Sequence, residues 1–112
     1  MNLEHRTHES VDIVKLPARL MMADSSEARS RLKRIIKQGN ARLILDLSDM
    51  EFIDSSGLAA LVNSMQTARK HNGDVRLLGM SETVRALFEL TQLLGVFEVF
   101  DDEDTAIATF RH

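Results

Sequence analysis

Hydrophobic and polar positions alternate in several short segments with the two-residue period of a β-strand. Residues 2–16 contain two candidate strands, and the clearer one is Val11–Leu16. Pro17 ends it or marks an edge of the sheet, because proline has no N–H for a ladder hydrogen bond. Further strands are predicted for Val75–Leu78 and Val96–Phe100.

The strand predicted for Ala41–Leu47 has apolar residues on both faces. Leu43, Leu45 and Leu47 share one face, whereas Ile44 lies on the other beside charged residues. A strand that is apolar on both faces is typical of a parallel sheet covered on both sides. The segment from Ser48 to Asp54, which follows this strand, reads as a loop.

The first helix is predicted over Asp24–Lys37 because its apolar residues recur at helical spacing. Asp24 is a suitable N-cap, and Glu27, three residues on, completes a pattern like a capping box. Gly39-Asn40 ends the helix. Its apolar face consists of Ala28, Leu32, Ile35 and Ile36.

Three more helices are predicted downstream. The second runs from Ser55 to His71 and ends at Asn72-Gly73, and Ser81 caps the third. An acidic turn, Asp101 to Asp104, precedes a short fourth helix over Thr105–Phe110. The second helix has a buried stripe of Leu58, Leu61, Val62 and Met65, with Ala59 and Ala68 beside it. The apolar face of the third helix consists of Val84, Leu87 and Phe88.

Strands and helices that alternate with short loops indicate an α/β fold with right-handed crossovers. We expect a small, mostly parallel or mixed sheet of about five strands flanked by about four helices. The 112 residues suit a single domain over positions 1–112, with its core at about 8–110.

The composition of the chain argues against several classes of function. The net charge of −3 gives no indication of nucleic-acid binding, since proteins that bind nucleic acid carry a clustered positive surface. Cysteine is absent, which excludes disulfides and thiolate metal sites, and no long apolar run suits a membrane span or signal peptide. The five glycines are scattered and form no phosphate loop. We therefore expect a cytoplasmic protein with no cofactor, metal, direct nucleic-acid contact or membrane insertion.

The most informative segment is Asp54-Ser55-Ser56-Gly57, where a helix follows a buried strand and a loop. The first N–H groups of a helix lack internal partners and carry partial positive charge, so a hydroxyl or a phosphate is well tolerated there. Gly57 adds no side chain beside the serines, which is expected to leave room for another protein surface.

Two segments of the chain resemble the STAS family and, within it, the anti-sigma factor antagonists of bacterial partner-switching systems. The stronger is Leu45–Leu61, which reads LDLSDMEFIDSSGLAAL. Residues 73–107, GDVRLLGMSETVRALFELTQLLGVFEVFDDEDTAI, are similar to the second half of the family. The resemblance covers about residues 8–110.

The resemblance implies a switch protein without catalytic chemistry of its own. The unphosphorylated form would bind an anti-sigma factor that is also a serine kinase, and a serine phosphatase would reset it. The family pattern implies phosphorylation at Ser55, with Ser56 as the second candidate. It assigns partner binding to Asp54, Ser55, Ser56, Gly57 and Leu58, and the protein is expected to be a monomer or a weak dimer.

Residues Pro17–Asp24 depart from the family pattern, which has a glycine and an acidic residue in this region. This loop lies near the phosphoserine loop in the family, so the departure bears on partner choice. It also keeps open an alternative function, a non-phosphorylated STAS accessory subunit of a membrane lipid-transport ATPase. An enzyme is disfavoured because no nucleophile, base and orienting group accompany Asp54.

Several residues have a structural interpretation beside the functional one. Ser55 and Ser56 could be helix caps, and Asp54 a solvated loop carboxylate or a partner contact. Leu58 and the pair Met21-Met22 could serve the core or a partner surface. The remaining charged candidates are interpreted as solvated surface groups: His5, His8, His71, His112, Arg29, Arg31, Lys33, Arg34 and Lys37.

Overall fold

The computed structural model describes residues 1–111, so His112 lies outside the described residues. Within this range the strands are β1 Glu4–His8, β2 Val11–Lys15, β3 Arg19–Leu20, β4 Arg42–Asp46, β5 Phe52–Ile53, β6 Asp74–Leu78 and β7 Glu98–Phe100. The helices are α1 Met22–Gln38, α2 Ser55–Lys70, α3 Glu82–Leu90 and α4 Glu103–Ala108.

The main sheet has the strand order β1-β2-β4-β6-β7. β1 is antiparallel to β2, and every other neighbouring pair is parallel. The predicted α/β class with a mixed five-stranded sheet and four helices is therefore confirmed for the described part of the chain. Glu9 and Ser10 join β1 to β2 with φ of 52° and 66°, the positive values that a tight hairpin turn requires.

The two faces of β4 belong to different cores, as its sequence predicts. Leu43 and Leu45 pack into a large core with the buried faces of α1, α2 and α3. Ile44 packs on the opposite side, where α4 and Phe110 cover the sheet. Because both faces of β4 are covered, the three central residues Leu43, Ile44 and Leu45 are all buried.

The predicted start of α1 is wrong. The helix begins at Met22 rather than after Asp24, and its N-cap residue Met21 makes no side-chain cap. Glu27 is engaged elsewhere, since its carboxylate accepts a hydrogen bond from Arg31 at 3.2 Å. The capping pattern fails because another part of the chain satisfies the first N–H of α1.

The predicted bounds of the fourth helix, Thr105–Phe110, are also wrong, because α4 spans Glu103–Ala108 and includes two residues of the acidic segment. Asp102 is the N-cap, and its carboxylate accepts hydrogen bonds from the backbone N–H and the hydroxyl of Thr105. These two donors hold the pKa of Asp102 below its usual value. Glu103 and Asp104 occupy the first turn, where negative charge favours the helix dipole.

The segment predicted as a loop, from Ser48 to Asp54, contains strand β5, which pairs in parallel with β3. Arg19 lies opposite Phe52, and Leu20 lies opposite Ile53. Leu20 and Ile53 are buried in the large core. This two-stranded ribbon joins the segments that precede α1 and α2, and it holds the starts of these helices side by side.

Candidate functional site

Asp54 connects the beginnings of two helices. As the N-cap of α2, it accepts a hydrogen bond at Oδ1 from the N–H of Gly57 at 2.9 Å. Its Oδ2 accepts a second from the N–H of Met22, the first residue of α1, at 2.8 Å. Each bond satisfies a helical N–H that has no partner within its own helix. Asp54 is therefore a shared cap rather than a freely solvated loop carboxylate.

Ser55 is the first residue of α2, and its side chain is exposed. The interpretation of Ser55 or Ser56 as the helix cap is wrong, because Asp54 occupies the N-cap position. Among the side-chain hydrogen bonds of residues 1–111, none involves the Ser55 hydroxyl. The hydroxyl at the start of α2 is consequently free, whereas Ser56 beside it is partly buried.

Gly57 is buried and faces the β3–β5 ribbon rather than a free surface. A Cβ at this position would lie 2.6 Å from Cγ1 of Ile53 and even closer to the carbonyl oxygen of Leu20. The expectation that the missing side chain leaves room for a partner is therefore wrong, because this chain already fills the space. The absence of a side chain lets α2 approach the ribbon closely.

A groove of about 410 Å³ runs from Ser55 along the outer face of α2. Arg29 of α1 and Leu93, in the turn after α3, also line it. Leu58 is only 5% exposed and belongs to the large core, yet it contributes to the groove as well. Both interpretations of Leu58 are thus compatible with its position.

Ala59 and Val62 line the same groove. Ala59 was expected beside the buried stripe of α2, but it is exposed, and Ala60 is buried instead. The difference follows from the rotation of α2 on the sheet, which the apolar pattern defines only to within one position. An exposed alanine gives this face of α2 a shallow profile.

Two large apolar side chains are exposed on the segments around Asp54. Met22 is 73% exposed at the start of α1, so the interpretation of this residue as core is wrong. Phe52 is 36% exposed, and the Arg19 guanidinium lies 5.9 Å from its ring centroid. Exposed apolar groups beside a free hydroxyl are compatible with contact with another protein.

Two of the candidate histidines form contacts that do not involve Ser55. His5 pairs with the buried Asp12 at 2.8 Å, and His71 lies beside the Thr67 carbonyl oxygen at 2.9 Å. Within residues 1–111, no group of three or more metal-ligating side chains is found, and no helix is long and apolar enough to cross a membrane.

Sequence reasoning found the serines but missed two features of the site. No local pattern shows that Asp54 binds Met22, which is 32 positions earlier. The groove is equally invisible, because Arg29 and Leu93 approach α2 from different elements. The only sequence signal for the cap was that aspartate is as good an N-cap as serine.

The STAS domain family model matches residues 2–106. The anti-sigma-B factor antagonist of Bacillus subtilis is 25% identical over 99 residues, which cover 88% of this chain and 90% of the relative. The anti-sigma F factor antagonist of Paenibacillus polymyxa is 23% identical and covers 96% of this chain and 92% of its own length.

A solved structure of the anti-sigma factor antagonist SpoIIAA in its unphosphorylated form has the same fold. It superposes with a TM-score of 0.83 at 24% identity and covers 98% of this chain and 96% of its own. The match extends across the sheet and all four helices rather than the motif alone.

Proposed function

Because this chain belongs to the STAS domain family, we propose that it is an anti-sigma factor antagonist controlled by phosphorylation of Ser55. The observation that carries the proposal is the free, exposed hydroxyl at the first position of α2, beside the cap Asp54. The names of its relatives support an anti-sigma factor as the partner.

The unphosphorylated protein binds an anti-sigma factor that is also a serine kinase, and this releases the sigma factor. The contact surface comprises Ser55, Ser56 and the groove that begins at Ser55. Leu58 contributes to that groove, whereas Asp54 and Gly57 act mainly by holding α2 in place. The protein is a regulator, and its partners supply the kinase and phosphatase chemistry.

Phosphorylation ends the interaction through charge. A phosphate adds about −1.5 to −2 charge to a surface that is otherwise desolvated in the complex. The protein already carries a net charge of −3, and Asp54 precedes the modified residue directly. The isolated domain tolerates the phosphate because Ser55 is exposed, whereas the complex would have to bury it.

The test uses the full chain and each anti-sigma kinase of its host. We expect ATP-dependent phosphorylation of the wild-type chain and of Ser56→Ala at Ser55, mapped by peptide mass spectrometry, and none of Ser55→Ala. Ser55→Ala should remain bound to its kinase, and Ser55→Asp should bind at least about tenfold more weakly because of like-charge repulsion.

Ser56→Ala is the matched control because it removes the neighbouring hydroxyl from the same turn of α2. Phosphate on Ser56 in the wild type, or equal kinase affinity of Ser55→Ala and Ser55→Asp, would contradict the proposal. Binding of wild type without phosphorylation by any active kinase would separate partner recognition from the switch and refute the role of Ser55.

A further inference from the structure

Among residues 1–111, one charged side chain lines the groove beside Ser55. Arg29 is the cation, and the other polar groups that line the groove are neutral amides and hydroxyls. Among the ion pairs formed within residues 1–111, none includes Arg29. Arg31, two positions later, is by contrast paired with Glu27. Arg29 is therefore an exposed arginine, and no described carboxylate satisfies it.

Arg29 on α1 and Ser55 on α2 line the same groove, and the usual lean of helical side chains is expected to bring Arg29 towards Ser55. α1 and α2 begin at the same carboxylate, that of Asp54, and pack side by side. Side chains on a helix lean towards its N-terminus, so Arg29 covers the turn that precedes its own position. That direction leads back along α1 towards the level of Ser55.

The surface of α2 between these residues leaves room for the guanidinium. Ala59 lies one helical turn after Ser55, is exposed and lines the groove. Its methyl group is small enough for a long side chain to lie across it. Asp54, the carboxylate beside Ser55, accepts a backbone hydrogen bond at each oxygen, and Glu27 on α1 is paired with Arg31.

We propose that Arg29 binds the phosphate of phosphorylated Ser55 and crosses the groove in doing so. A guanidinium is planar and forms paired hydrogen bonds with phosphate oxygens, so the contact is specific in geometry as well as in charge. The inference rests on the proposed function, since it describes the modified state of the same residue. It adds a second cause of partner release.

The second cause is steric. Among residues 1–111 of the unmodified protein, no carboxylate pairs with Arg29, and Leu58 and Val62 line the open groove. Once the phosphate is present, the Arg29 side chain is held over this part of the groove and covers the surface that the partner would use. Phosphorylation thus closes the docking surface in addition to repelling the partner.

The experiment measures the phosphate directly. Phosphoserine is incorporated at position 55 by genetic encoding, so no kinase is needed, and the second pKa of the phosphate is followed by phosphorus NMR. The second pKa of an unperturbed phosphoserine phosphate is about 6. We expect the pKa in Arg29→Gln to lie about half a unit above that of the wild type, because a nearby cation favours the dianion.

Arg34→Gln is the matched control. It removes the same charge from the same helix, and Arg34 is exposed outside the groove. We expect Arg34→Gln to titrate like the wild type and Arg29→Lys to retain part of the shift. The same pKa in wild type and Arg29→Gln would overturn the proposal, as would an equal shift in Arg34→Gln.

The failure of this contact and the failure of the proposed function give different results. If no host kinase modifies Ser55 but the phosphate of the encoded protein responds to Arg29, the proposed function fails and the contact stands. If the kinase modifies Ser55 but the pKa of the phosphate is the same in wild type and Arg29→Gln, the proposed function stands and this contact is refuted.

Discussion

At the scale of single residues, Gly57 shows how close packing sets the identity of a residue in the motif. Its Cα faces the Leu20 carbonyl oxygen and the Ile53 side chain, both of which belong to the β3–β5 ribbon. Backbone atoms of the ribbon cannot move aside as a flexible side chain could. Any Cβ at position 57 would therefore push α2 away from the ribbon.

We expect Gly57→Ala to lower the free energy of unfolding by about 2 kcal/mol, the typical cost of overpacking. Gly95→Ala is the control, because a Cβ there meets nothing within 4 Å. It should change stability by less than about 0.5 kcal/mol. Urea denaturation monitored by circular dichroism measures both, and equal stability of the two variants would contradict the packing role of Gly57.

At the scale of elements, the carboxylate of Asp54 binds α1 and α2 to each other. Its two hydrogen bonds reach Met22 and Gly57, which stand at the beginnings of different helices. The N–H of Asp54 donates in turn to the carbonyl oxygen of Leu20 at 3.3 Å. The position of Ser55 therefore depends on three elements: α1, α2 and the β3–β5 ribbon.

Removing this carboxylate should destabilise both helix starts at once. We expect Asp54→Ala to lower the free energy of unfolding by about 2 kcal/mol. A single lost N-cap typically costs about 1 kcal/mol, and Asp54 caps two helices. Asp24→Ala removes a carboxylate from the first turn of α1 that caps nothing, and should cost about 0.5 kcal/mol or less. Thermal unfolding of the two variants checks this order, and a larger loss in Asp24→Ala would show that the capping scheme is wrong.

At the scale of the whole molecule, the two faces of the sheet are covered unequally. Helices α1, α2 and α3 contribute to the large core on one face, whereas the short α4 and Phe110 cover the other. Arg76 crosses this second core, with its guanidinium 3.9 Å from the Phe110 ring centroid. Ion pairs between Arg6 and Glu103 and between Arg111 and Glu9 connect the C-terminal segment to the first hairpin.

Because the second core contains few side chains, truncating one of them should lower the free energy of unfolding measurably. We expect Ile107→Ala, at a side chain 2% exposed, to cost about 3 kcal/mol, as other buried truncations do. Leu90→Ala truncates a leucine that is 81% exposed and should change stability by less than about 0.5 kcal/mol. Denaturant midpoints of the two variants provide the comparison, and a loss below 1 kcal/mol in Ile107→Ala would contradict the importance of α4.

The sequence by itself determined the fold class, the order of the elements and most of the buried faces. Leu43, Leu45 and Ile44 occupy the sides of β4 that alternation predicts, and Ser81 caps α3 as expected. These features are local, because burial of one face leaves a period of two or 3.6 residues in the chain. Ser55 was also found from local pattern and family resemblance, although its phosphorylation remains a prediction.

Only the tertiary structure decided how the elements meet around Ser55. The ribbon of β3 and β5, the shared cap Asp54, the close contact of Gly57 and the groove bordered by Arg29 all join residues far apart in the chain. Such contacts leave no periodic signal, since they depend on the distance and rotation at which packed helices and strands dock. The sequence therefore identified the serine, and the docking of α1 and α2 decided what surrounds it.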